Sequence, residues 1–98
     1  MNDRALLDLC RGEPCYIRLP GCGNPETVVP AHWRAIGISG AGLKAPPIMV
    51  CPACMSCHDL IDRRAVMANL TRDDVQLAHL KAIMQWQNKL VREGHIKW

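Results

Sequence analysis

The sequence predicts one small α+β domain, with two short strands in its middle and helices toward both ends. Three observations lead to this prediction: the chain has only 98 residues, it contains six Cys and no Phe, and its last third has the pattern of a capped helix. A chain of this length buries only about 65% of the surface that its unfolded form exposes. We therefore expect residues 1–98 to form a single domain whose thin core is reinforced by its cysteines.

The six cysteines allow either three disulfides or a metal site, and the redox compartment decides between the two. The N-terminus lacks the basic start, the apolar run and the small-residue cleavage site of a secretory signal. No apolar run approaches the ~20 residues that span a bilayer. We expect a cytoplasmic protein with no membrane partner, in which clustered cysteines hold zinc. The net charge of +3 is compatible with a nucleic-acid partner but does not by itself indicate one.

The chain opens with the signals of a short helix and a knuckle. Apolar residues at positions 5, 6, 7 and 9 predict a helix that ends near Gly12. Cys15 and Cys22 then lie on either side of a Pro-Gly turn. This spacing is typical of a zinc knuckle, because the turn brings both sulfurs to one side of a short hairpin.

The middle of the chain predicts a strand, a loop, a second strand and a helix. Residues 27–29 are β-branched and predict the first strand, and residues 48–50 predict the second. Between them, residues 37–47 are rich in Gly and Pro and predict a loop. From Cys54 the pattern is that of a tight turn opening into a helix through about Met67.

The last helix has the clearest local signals. Thr71 and Asp74 match a capping box with Asp in place of Glu, and Gly94 supplies a stop, so we expect a helix over about residues 72–93. Four apolar residues repeat along one helical stripe and are expected to face the core: Leu77, Leu80, Met84 and Val91.

A tetrahedral structural zinc needs four ligands, usually supplied as two close pairs. Cys15 and Cys22 form one pair, while Cys51, Cys54 and Cys57 overlap as two successive C-x-x-C steps. We prefer Cys54 and Cys57 as the second pair, because they lie where a helix begins and would hold its first turn. The two cysteines left over are expected to be small buried hydrophobes: Cys10 and Cys51.

Zinc held by four cysteines is saturated, so any chemistry must come from other residues. His58 and Asp62 lie four residues apart on one helical face, where both can reach one divalent cation, Mg²⁺ or Mn²⁺. His32 faces this pair if the two strands form a hairpin against the helix. Histidine is the residue type that supplies a base near neutral pH, which an attacking water requires. The remaining histidines are expected to be surface or packing residues: His79 and His95.

Basic residues near these positions are candidates for contacts with DNA phosphates. Arg34, just past His32, could clamp a phosphate, and Lys44 in the loop could add a second contact. Arg63 and Arg64 have two interpretations, either phosphate contacts or an ordinary solvated helix face.

Several motifs together resemble the YbcO-like family of prophage-encoded HNH nucleases, over roughly residues 12–98. They are residues 23–27, Ala31 with His32, Gly40 with Gly42, the run C-x-x-C-H-D-x-I-D-R-R over residues 54–64, and residues 93–97. The resemblance implies a ββα-metal (HNH-type, His-Me) finger over about residues 27–67, a structural zinc on the four cysteines chosen above, and DNA cleavage in phage recombination.

Two positions depart from the pattern of this family. Many HNH nucleases have an acidic or histidine ligand immediately before the base, where this chain has Ala31. His58 and Asp62 are then the only protein ligands that the resemblance provides. No Asn occurs between Gly40 and Cys54 to orient the base, and Asn24 is the candidate substitute.

Two functions follow from these residues. The first is a metal-dependent endonuclease, with His32 as base and with His58 and Asp62 as ligands of the cation. The second is a non-catalytic zinc-dependent module that binds DNA or a protein on the same scaffold. The expected protein partner is a second copy of the chain, through Trp86 or Trp98, or a phage or host recombination protein.

Overall fold

The computed structural model describes residues 3–23, 25–33, 46–63 and 65–96. Its regular elements follow one another along the chain as α1 (Asp3–Asp8), a 3-10 turn (Pro25–Thr27), β1 (Val29–His32), β2 (Val50–Ala53), α2 (Met55–Ile61) and α3 (Arg72–Arg92). The predicted small α+β fold, with a two-stranded sheet and flanking helices, is therefore confirmed. None of the helices in these ranges is long and apolar enough to cross a membrane.

The sheet is an antiparallel pair in which Ala31 lies opposite Cys51 and His32 lies opposite Val50. Both strands begin about two residues later than predicted, at Val29 and Val50. The prediction missed this shift because each strand contains a proline, Pro30 opposite Pro52, and proline within a run usually argues against a strand. A two-stranded sheet tolerates both prolines because each strand has an outer edge that pairs with no other strand.

Helix α2 is shorter than predicted and ends at Ile61 rather than near Met67. Arg63, two residues later, has a left-handed backbone with φ of +62°, which stops the helix. The guanidinium of Arg72, at the start of α3, donates hydrogen bonds of 3.3 and 3.0 Å to the carbonyls of Leu60 and Ile61. These bonds satisfy carbonyls at the end of α2 and join the two helices.

Helix α3 begins as predicted. The Asp74 amide donates to the Thr71 hydroxyl at 3.1 Å, and the Thr71 amide donates to the Asp74 carboxylate at 3.0 Å, which completes the capping box. Gly94, with φ of +80°, follows the last turn. The helix packs against β2, all four residues of which are buried.

The prediction for the buried face of α3 is wrong. Leu77, Leu80 and Met84 are 60%, 44% and 60% exposed. The face that meets the core consists instead of Val75, His79, Ala82, Ile83, Trp86 and Leu90. Both stripes have helical periodicity, so only the position of the sheet selects between them.

The core combines this face of α3 with β2 and the cysteine-rich loop. Trp86 is buried and meets the ring of Tyr16 edge-on, with 5.6 Å between centroids, so it is a core residue rather than a dimer contact. Trp98 lies outside the described residues. Cys10 and Cys51 are fully buried, as predicted, and burial raises the pKa of the Cys10 thiol to about 12.

Candidate metal centre and the adjoining histidine–aspartate cavity

Four cysteines from two distant parts of the chain come together as predicted. The sulfurs of Cys15, Cys22, Cys54 and Cys57 all lie within 4.8 Å of one another, and those of Cys22 and Cys54 are 3.6 Å apart. Four thiolates around zinc, at about 2.3 Å each, would be separated by about 3.8 Å. The four side chains can therefore hold one metal ion, and their chemistry and spacing are consistent with zinc.

Local backbone geometry brings the first pair of cysteines into place. Gly21 has φ of +87°, and the Cys22 amide donates to the Leu19 carbonyl at 3.0 Å, which closes the turn. The Tyr16 amide donates to the Pro52 carbonyl at 2.9 Å, which attaches this loop to β2. The knuckle is thus held against the strand that leads directly into the second pair.

The second pair lies at the start of α2. Cys54 is the N-cap residue of α2, but its side chain makes no capping hydrogen bond. The hydroxyl of Thr27 instead accepts a 3.1 Å hydrogen bond from the Met55 amide. Burial opposes the Cys54 thiolate, but hydrogen bonds from the backbone of Cys57 and Gly23 outweigh it, and the pKa of Cys54 falls to about 7. This low pKa favours the thiolate form that binds metal.

Two other thiols of the cluster, those of Cys22 and Cys57, are harder to ionise without a cation. Burial, together with the neighbouring thiols of Cys15 and Cys54, raises the pKa of Cys22 to about 11. Burial likewise raises the pKa of Cys57 above its ordinary value. A divalent cation bound here would stabilise all four thiolates, so metal binding and folding of this region would be coupled.

Directly after Cys57, α2 carries a histidine–aspartate pair one turn apart. The Nδ1 atom of His58 lies 3.3 Å from an Oδ2 atom of Asp62, and the side chains are 20% and 9% exposed. The two atoms are at ion-pair distance from each other, and both are buried without a hydrogen-bond partner. Two neighbouring ligands of an octahedral cation at about 2.1 Å lie about 3 Å apart, so this pair fits two positions of such a cation.

The pair supplies two ligands only. In the part of the chain that the structure describes, the four cysteines are the only set of three or more Cys, His, Asp or Glu side chains at metal-ligating distances. His32 is half-buried and is the last residue of β1. That it faces His58 and Asp62 stays a prediction.

A cavity of about 270 Å³ opens beside Asp62. It is lined by Trp33, Ile61, Asp62, Arg63, Arg72, Gln76 and His79. Arg63 is the one predicted phosphate contact that the structure describes, and it is exposed at the rim of this cavity. The other predicted DNA contacts, and the candidate substitute for the missing Asn, lie outside the described residues: Arg34, Lys44, Arg64 and Asn24.

His79 was expected to be a surface or packing histidine, and the structure shows a packing one. It is 3% exposed, the one polar or charged side chain buried in the described ranges. Its Nε2 atom lies 3.0 Å from the Ala31 carbonyl oxygen, and its ring centroid lies 5.3 Å from that of Trp33. Burial lowers the pKa of His79, although the bond to Ala31 opposes this shift. The sequence feature that indicates packing is the alignment of His79 with Val75, Ile83 and Trp86 on one helical face.

Comparison with known proteins identifies a family. The family described as "Putative nuclease YbcO" matches this chain over residues 4–95. Proteins with that name from Escherichia coli (strain K12) and Enterobacteria phage 82 are each 52% identical to it over 56 residues. This match covers 55% of the chain and 58% of each relative, so it spans little more than half of their length.

A solved structure has the same fold. It is described as "Structure of a putative bacteriophage protein from Escherichia coli str. K-12 substr. MG1655" and is 34% identical, with a TM-score of 0.72. The superposition covers 91% of this chain and 99% of that one. The resemblance found in the sequence motifs is thus confirmed, and nuclease activity is suggested by the name of the relatives. On the family match over residues 4–95, the chain belongs to the YbcO family.

Proposed function

We propose that this protein is a metal-dependent endonuclease that hydrolyses DNA phosphodiester bonds through an HNH-type, ββα-metal finger. The observation that carries the proposal is the pair of His58 and Asp62, whose facing Nδ1 and Oδ2 atoms are buried without hydrogen-bond partners. A buried polar atom without a hydrogen-bond partner is costly, and a cation bound by both atoms, which lie 3.3 Å apart at ion-pair distance, would supply a partner to each. The order β1, β2, α2 supports a finger of this type.

Two kinds of metal have separate roles in this proposal. Zinc on the four cysteines is saturated and holds the first turn of α2. Because His58 follows Cys57 directly, the zinc site also holds the residue that would bind the second cation. His58 and Asp62 would hold Mg²⁺ or Mn²⁺, which when bound neutralises charge on the scissile phosphate and on the leaving 3′ oxygen.

The remaining residues act on the substrate. A ring nitrogen of His32 accepts the proton of the attacking water as that water bonds to phosphorus and the bond to the 3′ oxygen breaks. Arg63 contacts a neighbouring phosphate at the cavity rim, and Arg34, Lys44 and Arg64 contribute further phosphate contacts. The whole chain acts as one domain on DNA in the cytoplasm of a phage-infected or prophage-bearing cell, in recombination, either as a homodimer or with a recombination protein.

The test is plasmid nicking by the zinc-loaded full chain with added Mg²⁺ or Mn²⁺. His32→Ala and His58→Ala are each expected to lower the nicking rate by about 100-fold or more, as loss of a general base or of a metal ligand does. His95→Ala is the matched control, because His95 lies beyond the end of α3 and pairs with Glu93 at 3.5 Å.

Two results would contradict the proposal. Nicking that persists in both variants at the rate of the His95→Ala control would exclude this site. A folded, zinc-loaded protein that cleaves no plasmid with either cation would instead favour the non-catalytic module, whose zinc-dependent binding of DNA or protein can then be measured directly.

A further inference from the structure

We infer that the junction between α2 and α3 is a binding site for an unpaired nucleotide of DNA, with its phosphate at Arg63 and Arg72 and its base in a neighbouring apolar cavity. The inference rests on the proposed function, because it takes DNA as the substrate and names the form of DNA that this surface binds. It gives a role to Arg72 and to a second cavity, neither of which that proposal uses.

The first argument concerns the charge of the cavity of about 270 Å³ beside Asp62. Arg63 and Arg72 both line this cavity, and Asp62 supplies its one carboxylate, an oxygen of which lies 3.3 Å from His58. In the part of the chain that the structure describes, neither arginine lies within ion-pair distance of a carboxylate. Two guanidinium groups without paired carboxylates on one cavity favour an anion, and the anion that DNA supplies is phosphate.

Arg72 is held in place for such a contact. Its Nη1 and Nη2 atoms donate hydrogen bonds of 3.3 and 3.0 Å to the carbonyls of Leu60 and Ile61. Each terminal nitrogen of a guanidinium carries two N–H groups, so each retains one N–H for a ligand. The Nε atom of Arg72 is buried, so the terminal nitrogens are the ones that meet the phosphate. Because the side chain is already fixed, less conformational entropy is lost on binding.

The second argument concerns a neighbouring cavity of about 350 Å³, which Arg63 and Arg72 also line. Its volume is within the range of about 300–1,000 Å³ that is typical of ligand sites. Its other walls are mostly apolar and include the side chains of Leu60, Val66, Met67, Leu70 and Val75. A ligand that occupies both cavities therefore has an anionic group beside an apolar one.

A nucleotide of DNA presents this combination when its base is unpaired. In a duplex the bases are stacked and paired, so a protein surface that does not enter a groove meets phosphates and sugars. A base that leaves the stack is bound by apolar side chains and by the planes of arginine guanidinium groups. Val66, whose apolar side chain is 86% exposed on the wall of the second cavity, would be covered by such a base.

The experiment measures binding of labelled DNA to the zinc-loaded full chain by fluorescence anisotropy, without added Mg²⁺ or Mn²⁺. The probes are a short blunt duplex, the same duplex with a single-stranded overhang, and the same duplex with an overhang of abasic nucleotides. The overhang with bases is expected to raise affinity by about 10-fold, which is within the effect of one stacked base. The abasic overhang supplies phosphates alone and is expected to raise affinity much less.

Two substitutions test the location of the site. Val66→Glu is expected to abolish the preference for the overhang with bases, because a carboxylate on the apolar cavity opposes both the base and the phosphate. Ala68→Glu is the matched control, since it adds the same charge at an exposed residue that lines neither cavity. Arg63→Ala is expected to weaken the preference through loss of one guanidinium. Zinc content and unfolding are measured for each variant, so that loss of fold is recognised.

Three results would overturn the inference: equal affinity for blunt and overhanging duplexes, an equal gain from overhangs with and without bases, and a preference that folded Val66→Glu retains at the level of Ala68→Glu. Each of them leaves the nuclease proposal standing, because nicking is measured separately, with Mg²⁺ or Mn²⁺ and with the histidine variants. If the wild type binds none of the probes, both the inference and DNA as the substrate are overturned.

Discussion

Replacement of Arg63 by glycine is expected to stabilise the fold while weakening DNA binding. Arg63 has φ of +62°, a left-handed backbone conformation that side chains bearing a Cβ adopt at a cost of about 1–2 kcal/mol. Glycine removes this cost, but it adds about 0.5–1 kcal/mol through the greater freedom of the unfolded chain. The net expectation is a free energy of unfolding about 0.5–1 kcal/mol higher, or a Tm higher by about 2–8 °C.

DNA affinity is expected to fall, because the variant loses the positively charged Arg63 guanidinium at the rim of the cavity beside Asp62. Removal of one phosphate contact is expected to reduce the slope of log affinity against log salt by about 0.9. Arg63→Ala retains the strain and loses the charge, while Arg63→Lys retains both. Alanine is therefore expected to match glycine in DNA affinity only, and lysine to match the wild type in both measurements.

The assays are denaturant unfolding at fixed zinc concentration and fluorescence anisotropy with labelled DNA across a salt series. Destabilisation by Arg63→Gly would refute the assignment of backbone strain. DNA affinity and salt slope that are unchanged in both the glycine and alanine variants would refute the phosphate contact. A strained backbone retained at a cost to stability is typical of functional sites, and these results would establish whether Arg63 is such a case.

Three further changes test the fold and the zinc site. Cys54→Ser should lose stoichiometric zinc and fold poorly, because metal ligation contributes folding free energy directly, whereas Cys51→Ser should retain one equivalent of zinc. Zinc is measured by atomic absorption, and one equivalent retained by Cys54→Ser would contradict the ligand assignment. Thr71→Ala should lower the free energy of unfolding by about 1 kcal/mol through loss of the capping box, and no change in denaturant midpoint would show that the cap is not needed. Ile83→Ala should lower the free energy of unfolding by about 2–5 kcal/mol, and Leu80→Ala should lower it by less than about 0.5 kcal/mol. The reverse order in denaturant unfolding would show that the buried face is the one with Leu80, as first predicted.

The candidate cation-binding pair was visible in the sequence only as a spacing. His58 and Asp62 are four residues apart on a helix, and that separation places them on one face of it. Their contact at 3.3 Å, their burial and their missing hydrogen-bond partners depend on what covers that face. The sequence could therefore nominate two candidate ligands but could not indicate that Asp62 lines a cavity together with His79.

Features that depend on neighbouring residues were determined by the sequence itself. The capping box at Thr71 and Asp74 formed as predicted, since its hydrogen bonds join residues three apart. The choice of Cys15, Cys22, Cys54 and Cys57 was also confirmed as a cluster, although it joins two distant parts of the chain, because thiol chemistry and the close spacing within each pair leave few alternatives. Family membership follows from the same short motifs.

Features that depend on distant residues were decided by the tertiary structure. Helix α3 has two apolar stripes, and packing against β2 buries the one with Ile83 and Trp86 rather than the one with Leu80 and Met84. Arg72, the first residue of α3, donates hydrogen bonds to carbonyls at the end of α2. The same packing brings His79 to the carbonyl of Ala31, 48 residues away. Helical periodicity determines which residues share a face, but only the rest of the fold determines what that face meets.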